Sequence, residues 1–451
     1  MKISFFGAAQ EVTGSRYLIQ EGDTKILVDC GLFQGTRDSR KRNWEQFPID
    51  PSKIDAVVIT HAHIDHTGYI PALIKQGFKG KIYCSKATYA LCAILLVDSG
   101  KLQEEDAQKF TRYGGSRHSP ALPLYTAVDA QNSLRSFQTI DYNHELTLGP
   151  LKVTLIRCGH ILGASFVIVS NGKETLTFSG DLGNPDQLIM NAPTHLKKTD
   201  YLVVESTYGD RLHEHSDPIK VLGDIVNETV AKGGVLIMPA FAVGRAQTIL
   251  YCLYELKQKK TIPNIPIFLD SPMAISVTDL FCKFNDEHKL PTDMCTDIFA
   301  VATYARSVEE SKHIDNLKGS SIIIAGSGMA NGGRVRDHFT HFISDAKNTV
   351  LFVGYQAKGT DGRDLVDGEK EIKIYGRVYE VHAAIKTIDT LSAHADYKEI
   401  LQWLSYFETA PKKVFITHGE LKAAQSLKEK IEKQFGWSVV VPKYLESFDL
   451  D

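Results

Sequence analysis

The chain has 451 residues, 43% hydrophobic and 23% charged, a globular composition that excludes a wholly disordered, collagen-like or coiled-coil protein. At roughly 100–200 residues per domain, two to four domains are expected. Fifty-one Lys and Arg against fifty-four Asp and Glu leave a formal charge of −3, so any nucleic-acid site has to be a local basic patch. In chain order, Lys25–Val28 and Ala56–Thr60 read as buried strands, short and rich in β-branched residues. Thr67–Gln76 and Lys86–Val97 carry helical patterns, and Val153–Ile156, Thr175–Phe178 and Tyr201–Val204 are further strands. The rhythm then changes. Val235–Met238 is followed by Ala240–Arg245 and an amphipathic run to Lys257. Ile265–Leu269 ends at Asp270-Ser271-Pro272, and Ser321–Ala325 ends at Gly326-Ser327-Gly328-Met329 before a helix near Arg334–Ile343. Thr349–Val353 ends at Gly354-Tyr355-Gln356. Strand, turn, helix, strand predicts a parallel sheet with crossover helices. Residues 207–385 are therefore read as an inserted α/β domain between two parts of the first domain, 1–206 and 386–451, the last of which holds the strand Val414–Thr417.

The seven cysteines (Cys30, Cys84, Cys92, Cys158, Cys252, Cys282 and Cys295) are scattered and contain no Cys-x-x-Cys. No disulfide framework and no thiolate zinc site is expected, and a reducing cytosol fits. Met1–Gly7 meets Gln10-Glu11 too soon for a signal peptide. Apolar runs such as Tyr89–Val97 are far below the roughly 20 residues that span a bilayer. The expectation is a soluble cytoplasmic protein that uses no membrane.

The sharpest motif is His61-Ala62-His63-Ile64-Asp65-His66, directly after the strand Ala56–Thr60. Alternate residues of extended chain point the same way, so His61 and His63 can face one ion, and the following turn can aim Asp65 and His66 at a second. Imidazole nitrogen and carboxylate oxygen suit zinc. A solvated histidine-rich loop explains four ligand-type residues in six poorly. Partners have to come from elsewhere, and several residues share one grammar, a polar group at the C-terminal end of an apolar strand. They are Asp29, His160, Asp181, Glu205 and His418, with His394 in Ser392-Ala393-His394-Ala395-Asp396. Singly, each reads as a cap or turn residue; together they can converge on one sheet edge, as a catalytic site needs.

These motifs resemble the metallo-β-lactamase-fold hydrolases, and specifically their β-CASP branch of nucleic-acid-processing nucleases. His-x-His-x-Asp-His marks the broad superfamily. Glu205-Ser206-Thr207-Tyr208-Gly209, Ser392-Ala393-His394-Ala395-Asp396 and Thr417-His418-Gly419-Glu420 match the three further motifs of the branch, and Gly326–Met329 and Pro239–Gln247 resemble its inserted domain. The similarity runs over nearly the whole chain. It points to bacterial and archaeal RNA-degrading members, akin to the nuclease subunit of the pre-mRNA 3′-end cleavage machinery. An N-terminal KH-type region and the extra C-terminal domain of ribonuclease J are expected to be absent.

The resemblance implies an αββα sandwich with an inserted β-CASP domain and two zinc ions, with manganese or iron as alternatives. It assigns one ion to His61, His63 and His160 and the other to Asp65, His66 and His418. Asp181 would bridge them, and Asp29 would orient the ligand loop from behind. Two zincs about 3.5–4 Å apart can hold a hydroxide at neutral pH, placed for attack on phosphorus. His394 is the implied general acid for the leaving ribose oxygen, held and kept charged by Glu205. The expected substrate is single-stranded RNA, cut endonucleolytically, 5′-3′ exonucleolytically or both, leaving a 5′-phosphate and a 3′-hydroxyl. A histidine at 418 is associated with RNA in this branch and an aliphatic residue with DNA. A DNA nuclease, a small-molecule hydrolase and a non-catalytic RNA-binding scaffold are the competing readings, and a homodimer is an open expectation. The amides of Gly326-Ser327-Gly328 at a helix N-terminus are expected to grip phosphate, with Ser327 the direct contact, Gly328 and Met329 beside it, and Arg245, Arg334 and Arg336 adding charge. A tight turn that needs glycine is the competing reading of that loop. Arg37–Arg42 reads as a solvated basic loop, His213 and His215 as surface histidines, His338 and His341 as solvated or partly packed, and Tyr83, Tyr89 and Tyr113 as packing residues.

Overall fold

A computed structural model describes residues 1–113, 121–213, 216–388 and 390–451. The chain divides into two compact units. The first comprises Met1–Asp186, Ala192–Leu212 and His394–Asp451, and the second Gln187–Asn191 and His213–Ala393. Among the described residues, no helix is long and apolar enough to cross a membrane.

The first unit holds two seven-stranded sheets. One runs in the order Ser447–Asp449, Lys2–Phe5, Tyr17–Glu21, Thr24–Val28, Ala56–Val58, Lys81–Cys84, Phe137–Thr139. The other runs Val439–Val440, Lys413–Thr417, Tyr201–Glu205, Thr175–Phe178, Ser165–Ser170, Leu151–Arg157, Glu145–Leu148. Each is antiparallel along one stretch and parallel along the other. Period-two alternation decides which side chains meet between them. Ile3, Phe5, Tyr17, Ile19, Ile26 and Val28 face Leu151, Val153, Leu155, Val167, Val169 and Phe178 in one buried core. Rings tie the two sheets together: Phe5 lies 5.3 Å from Phe415 and Tyr17 5.5 Å from Phe178 between centroids. Burying a side chain of this size stabilises by about 1.5–3 kcal/mol.

Strand positions expected from sequence recur with shifts of one or two residues. The helices differ more. The pattern over Thr67–Gln76 is split into Ile64–Thr67 and Ile70–Lys75, with Pro71 in the first turn of the second piece. The helix at Lys86 runs on to Tyr113, beyond the expected Val97, because the polar stretch after Val97 keeps helix-forming residues.

The second unit has a wholly parallel sheet in the order Thr303–Tyr304, Ile267–Asp270, Ile322–Ala325, Leu236–Pro239, Thr349–Val353, Ala384–Ile388. Its central strands, Ile322–Ala325, Leu236–Pro239 and Thr349–Val353, are buried, largely apolar runs because both faces are covered. Ala384–Ile388 pairs along its whole length with Thr349–Val353, so this ladder carries the inserted sheet past residue 385. Cys282 and Cys295, which the scattered spacing left unpaired, form a disulfide across the end of the helix Pro272–Phe281. The other five cysteines are buried and form no disulfide.

Candidate metal centre

Strands that run the same way end on the same edge of their sheet, and polar residues that follow such strands in the two sheets collect there. Asp29 follows Thr24–Val28, His160 follows Leu151–Arg157, Asp181 follows Thr175–Phe178, Glu205 ends Tyr201–Glu205, and His418 follows Lys413–Thr417. Asp29 and His418 hold left-handed backbone, φ +58° and +48°, a conformation that costs a side-chain-bearing residue free energy and recurs at functional sites.

Two neighbouring clusters form, His61, His63, His160 and Asp181 in one and Asp65, His66 and His418 in the other, and Asp181 also approaches His66 and His418 of the second. In the first, His61 Nε2 lies 3.1 Å from His63 Nδ1, and His160 Nε2 lies 3.3 Å from the same atom. Asp181 Oδ2 stands 3.3 Å from His61 Nε2 and 3.4 Å from His160 Nε2. In the second, Asp65 Oδ2 is 3.2 Å from His418 Nε2, and Asp181 Oδ1 is 3.2 Å from His66 Nε2 and 3.5 Å from His418 Nε2. Ligand-type atoms lie within 4.8 Å of one another in His61, His63, His160 and Asp181, in Asp65, His66 and His418, and in Asp181, Glu205 and His394. Asp181 Oδ1 is buried with no hydrogen-bond partner, an arrangement that a cation would resolve. Imidazole nitrogens turned toward one point and a shared carboxylate fit divalent zinc.

The opposite ring nitrogens are held. Asp29 accepts from the Thr60 amide at 2.8 Å, from the Thr60 hydroxyl at 2.8 Å and from His66 Nδ1 at 2.7 Å. The Thr60 hydroxyl has one proton, given to Asp29, so at 3.1 Å its oxygen accepts from His61 Nδ1. Thr207 Oγ1 lies 3.1 Å from His418 Nδ1. These contacts turn the Nε2 lone pairs of His61, His66 and His418 inward. Neither Thr60 nor Thr207 was given a role from sequence, although Thr60 directly precedes His61 and Thr207 lies inside the Glu205–Gly209 motif.

Burial pushes His61 down to about 3 and His63 to about 4, and holds His160 well below the usual histidine range. These three imidazoles are neutral, the form that binds metal. Burial also disfavours charge on His66 and His418, but the carboxylates around them win and raise both. Asp65 and Asp181 lie well below the ordinary carboxylate range, because the neighbouring histidines outweigh burial.

His394 stands at the edge of the first cluster, its Nδ1 3.0 Å from Glu205 Oε1 and 4.0 Å from Asp181 Oδ2. Its backbone pairs with Gly183, and the Ala395 amide donates to the Leu182 carbonyl at 2.9 Å, so the chain just after Asp181 holds it. Glu205 accepts from the Leu182 and Thr207 amides at 2.7 and 3.1 Å. Burial works against charge on His394, but the Glu205 carboxylate outweighs it and lifts the ring to about 9.

Comparison with known proteins gives the family. Residues 10–222 match the metallo-beta-lactamase superfamily, 246–365 the Beta-Casp domain, and 378–442 a Zn-dependent metallo-hydrolase RNA specificity domain. The chain belongs to the β-CASP branch of the metallo-β-lactamase superfamily. This β-CASP enzyme is 35% identical to Ribonuclease TTHA0252 of Thermus thermophilus, over 93% of each chain. It is 29% identical to Transcription termination factor FttA of Methanocaldococcus jannaschii, over 99% of this chain and 71% of that protein. A crystal structure of a protein of unknown function from Enterococcus faecalis shares the fold, with a TM-score of 0.57 at 14% identity, covering 100% of this chain and 99% of that one.

The β-CASP unit places the expected phosphate-binding residues differently from one another. The helix after Gly326–Met329 begins only at Val335, and its first amides already donate to Gly326 and Gly333. The loop is therefore not a helix N-terminus, which corrects that expectation. Ser327 is half-buried, while Gly328 is buried against the Phe241 ring and the Met329 carbonyl accepts from the Gly362 amide. Arg245 is half-buried beside Gly354. Arg334 is directed elsewhere: its guanidinium binds Asp270 and donates to the Ala305 and Arg306 carbonyls at 3.0 and 3.1 Å. Arg336 is likewise paired with Asp361.

Three further sequence readings change. His338 is fully buried between Asp270 and Asp315, at 2.8 and 2.6 Å. His213 is buried too, and His215 lies outside the described residues. The basic stretch at Arg37 is a short helix, Arg37–Lys41, and Arg42 beyond it pairs with Glu11. Tyr83 is buried and Tyr89 packs on Phe137; the side chain of Tyr113 lies outside the described residues.

Proposed function

We propose that this β-CASP enzyme is a zinc-dependent ribonuclease that hydrolyses phosphodiester bonds of single-stranded RNA. The observation that carries the reading is the pair of adjacent clusters with Asp181 in the first and within 3.5 Å of His66 and His418 in the second, and the His394–Glu205 pair beside them. His61, His63 and His160 would hold one ion, Asp65, His66 and His418 the other, and Asp181 both. Bound there, the ions supply Lewis acidity toward the phosphoryl oxygens and a water of lowered pKa as nucleophile. The protein's residues do the rest. Neutral His61, His63 and His160 accept a cation without releasing protons, and Asp29, Thr60 and Thr207 keep the rings turned inward. Glu205 fixes His394 through Nδ1 and favours its charged form, so that Nε2–H is the proton donor to the departing ribose 3′-oxygen. Ser327 and Arg245 of the β-CASP unit are the proposed phosphate contacts. The similarity to Ribonuclease TTHA0252 supports RNA as substrate.

The experiment is cleavage of matched 5′-labelled single-stranded RNA and DNA by the wild type and by His394→Ala. RNA cleavage by the wild type, reduced about 10²–10⁴-fold in the variant with metal content unchanged, is the expected result. Loss of metal in the variant would make His394 a ligand. Cleavage of DNA in preference to RNA, or of neither polymer by a fully metallated wild type, would overturn the substrate.

A further inference from the structure

Arg16 is a buried cation outside the site described above. It is 3% exposed, and among the described residues no carboxylate forms a salt bridge with it. Three aromatic faces surround its guanidinium: Tyr69 at 4.0 Å, Phe33 at 4.8 Å and Phe47 at 5.7 Å from ring centroids. Two hydrogen bonds leave this cage. Nε donates to the Gly31 carbonyl at 2.9 Å and Nη2 to Asn43 Oδ1 at 3.3 Å. Asn43 in turn clasps the Phe33 amide and carbonyl at 2.9 and 2.7 Å. Burying a charge is costly unless something specific compensates it, and ring faces with two directed acceptors do so for a planar guanidinium.

The carbonyl that Arg16 grips belongs to the segment on which the metal motif rests. The Cys30 amide donates to the His66 carbonyl at 2.8 Å and the Leu32 amide to the Ile64 carbonyl at 3.0 Å. The Ser15 amide donates to the Asp65 carbonyl at 2.9 Å, and the Gly31 amide to the Ser15 carbonyl at 3.0 Å. The packing is tight enough that a Cβ on Gly31 would stand 1.6 Å from the Asp65 carbonyl oxygen. Asp65 and His66 thus have their backbone carbonyls fixed by residues 15 and 30, with residue 32 holding the adjoining Ile64 carbonyl, and Arg16 locks that ladder from behind.

We propose that Arg16 is a positioning residue for the metal centre, holding the Gly31 carbonyl so that the 30–32 segment presents Asp65 and His66 to the second ion. The inference rests on the metal-centre reading above. Its test is the affinity of Arg16→Lys and Arg16→Met for zinc, by competition with a chromogenic chelator, together with the visible spectrum of the cobalt(II)-substituted proteins and the thermal midpoint of the metal-free proteins. Arg16→Met is expected to weaken the second ion about tenfold, the low end for residues supporting a metal site from behind, and to alter the cobalt spectrum. Arg16→Lys keeps a cation against the rings but loses the planar fork, so it should fall between the two. A merely structural role would lower the thermal midpoint and leave affinity and spectrum unchanged. Wild-type affinity and spectrum in Arg16→Met overturn the proposal, and if that variant does not fold, the same result in Arg16→Lys overturns it. A wild type that binds no zinc would remove the metal-centre reading and this inference together; a normal wild type with unaltered variants would remove this inference alone.

Discussion

Replacing Glu205 by Gln tests how His394 is kept charged. Burial alone would take the ring below its ordinary 6.5, yet it stands at about 9 because the Glu205 carboxylate lies 3.0 Å from Nδ1, with Asp181 and Asp65 adding to its effect. Among the groups that raise it Glu205 comes first, ahead of Asp181 and Asp65, and the net rise from 6.5 to about 9 is about 3 kcal/mol at 1.36 kcal/mol for each tenfold step. In the proposed mechanism His394 is the general acid, which must be protonated to act, so the alkaline limb of the pH–rate profile would follow this ring. Bound cations lower that limb in wild type and variant alike, so the prediction concerns the displacement between them. In Glu205→Gln the limb should move down by about two pH units, which is about a hundredfold loss of turnover on the alkaline side. The acid side should change far less. The assay is single-turnover cleavage of labelled single-stranded RNA from pH 5.5 to 9.5, with metal content measured at each pH. Gln keeps one acceptor oxygen for the Leu182 and Thr207 amides, so some loss of stability accompanies the change. An alkaline limb that stays in place, or a loss equal at every pH, would refute the reasoning.

Three more predictions follow from named contacts. His338 is raised to about 9 by Asp270 and Asp315 despite burial, and a raised histidine stabilises fully below 6.5 and loses that contribution as pH rises through 9. Urea unfolding of the β-CASP unit should therefore show stability falling by about 3 kcal/mol between pH 6 and 9.5, a slope absent in His338→Gln; a flat wild type would contradict it. Asp29→Asn keeps only one oxygen for three donors, and graded dialysis against a chelator should show metal affinity lowered about 10–100-fold, with unchanged affinity counting against the role given to Asp29. Arg334→Met breaks a pair with the fully buried Asp270 and should destabilise the β-CASP unit by about 3 kcal/mol, the low end for such a break. RNA affinity per folded molecule should stay constant; a selective loss of RNA binding on a filter assay would return Arg334 to the phosphate-binding set.

The fold class was legible because both architectures write short-range patterns. Alternation as in Ile3/Phe5 and Leu151/Val153/Leu155 marks sandwich strands, and continuous runs such as Ile322–Ala325 mark a covered parallel sheet. The residues at strand ends were legible for the same reason, and the structure brings His61, His63, Asp65, His66, His160, Asp181 and His418 together. What escaped depends on pairings across long separations. Nothing near Arg334 shows that Asp270 waits 64 residues away to bind it, and nothing near His338 shows the two carboxylates that make it a buried cation. Thr60 and Thr207 look like ordinary strand-end residues until the rings they hold are in place. Cys282 and Cys295 escaped because a spacing of 13 carries no motif, and only the turn after the helix Pro272–Phe281 brings them together.

The central claim, that Asp181 is shared by two metal ions, is tested most directly by metal stoichiometry. Protein reconstituted with zinc and freed of excess by gel filtration would be measured by inductively coupled plasma mass spectrometry beside Asp181→Ala. The expected result is two zinc ions per chain in the wild type, with loss of at least one in the variant. One ion or none in the wild type, or two retained without Asp181, would contradict the account.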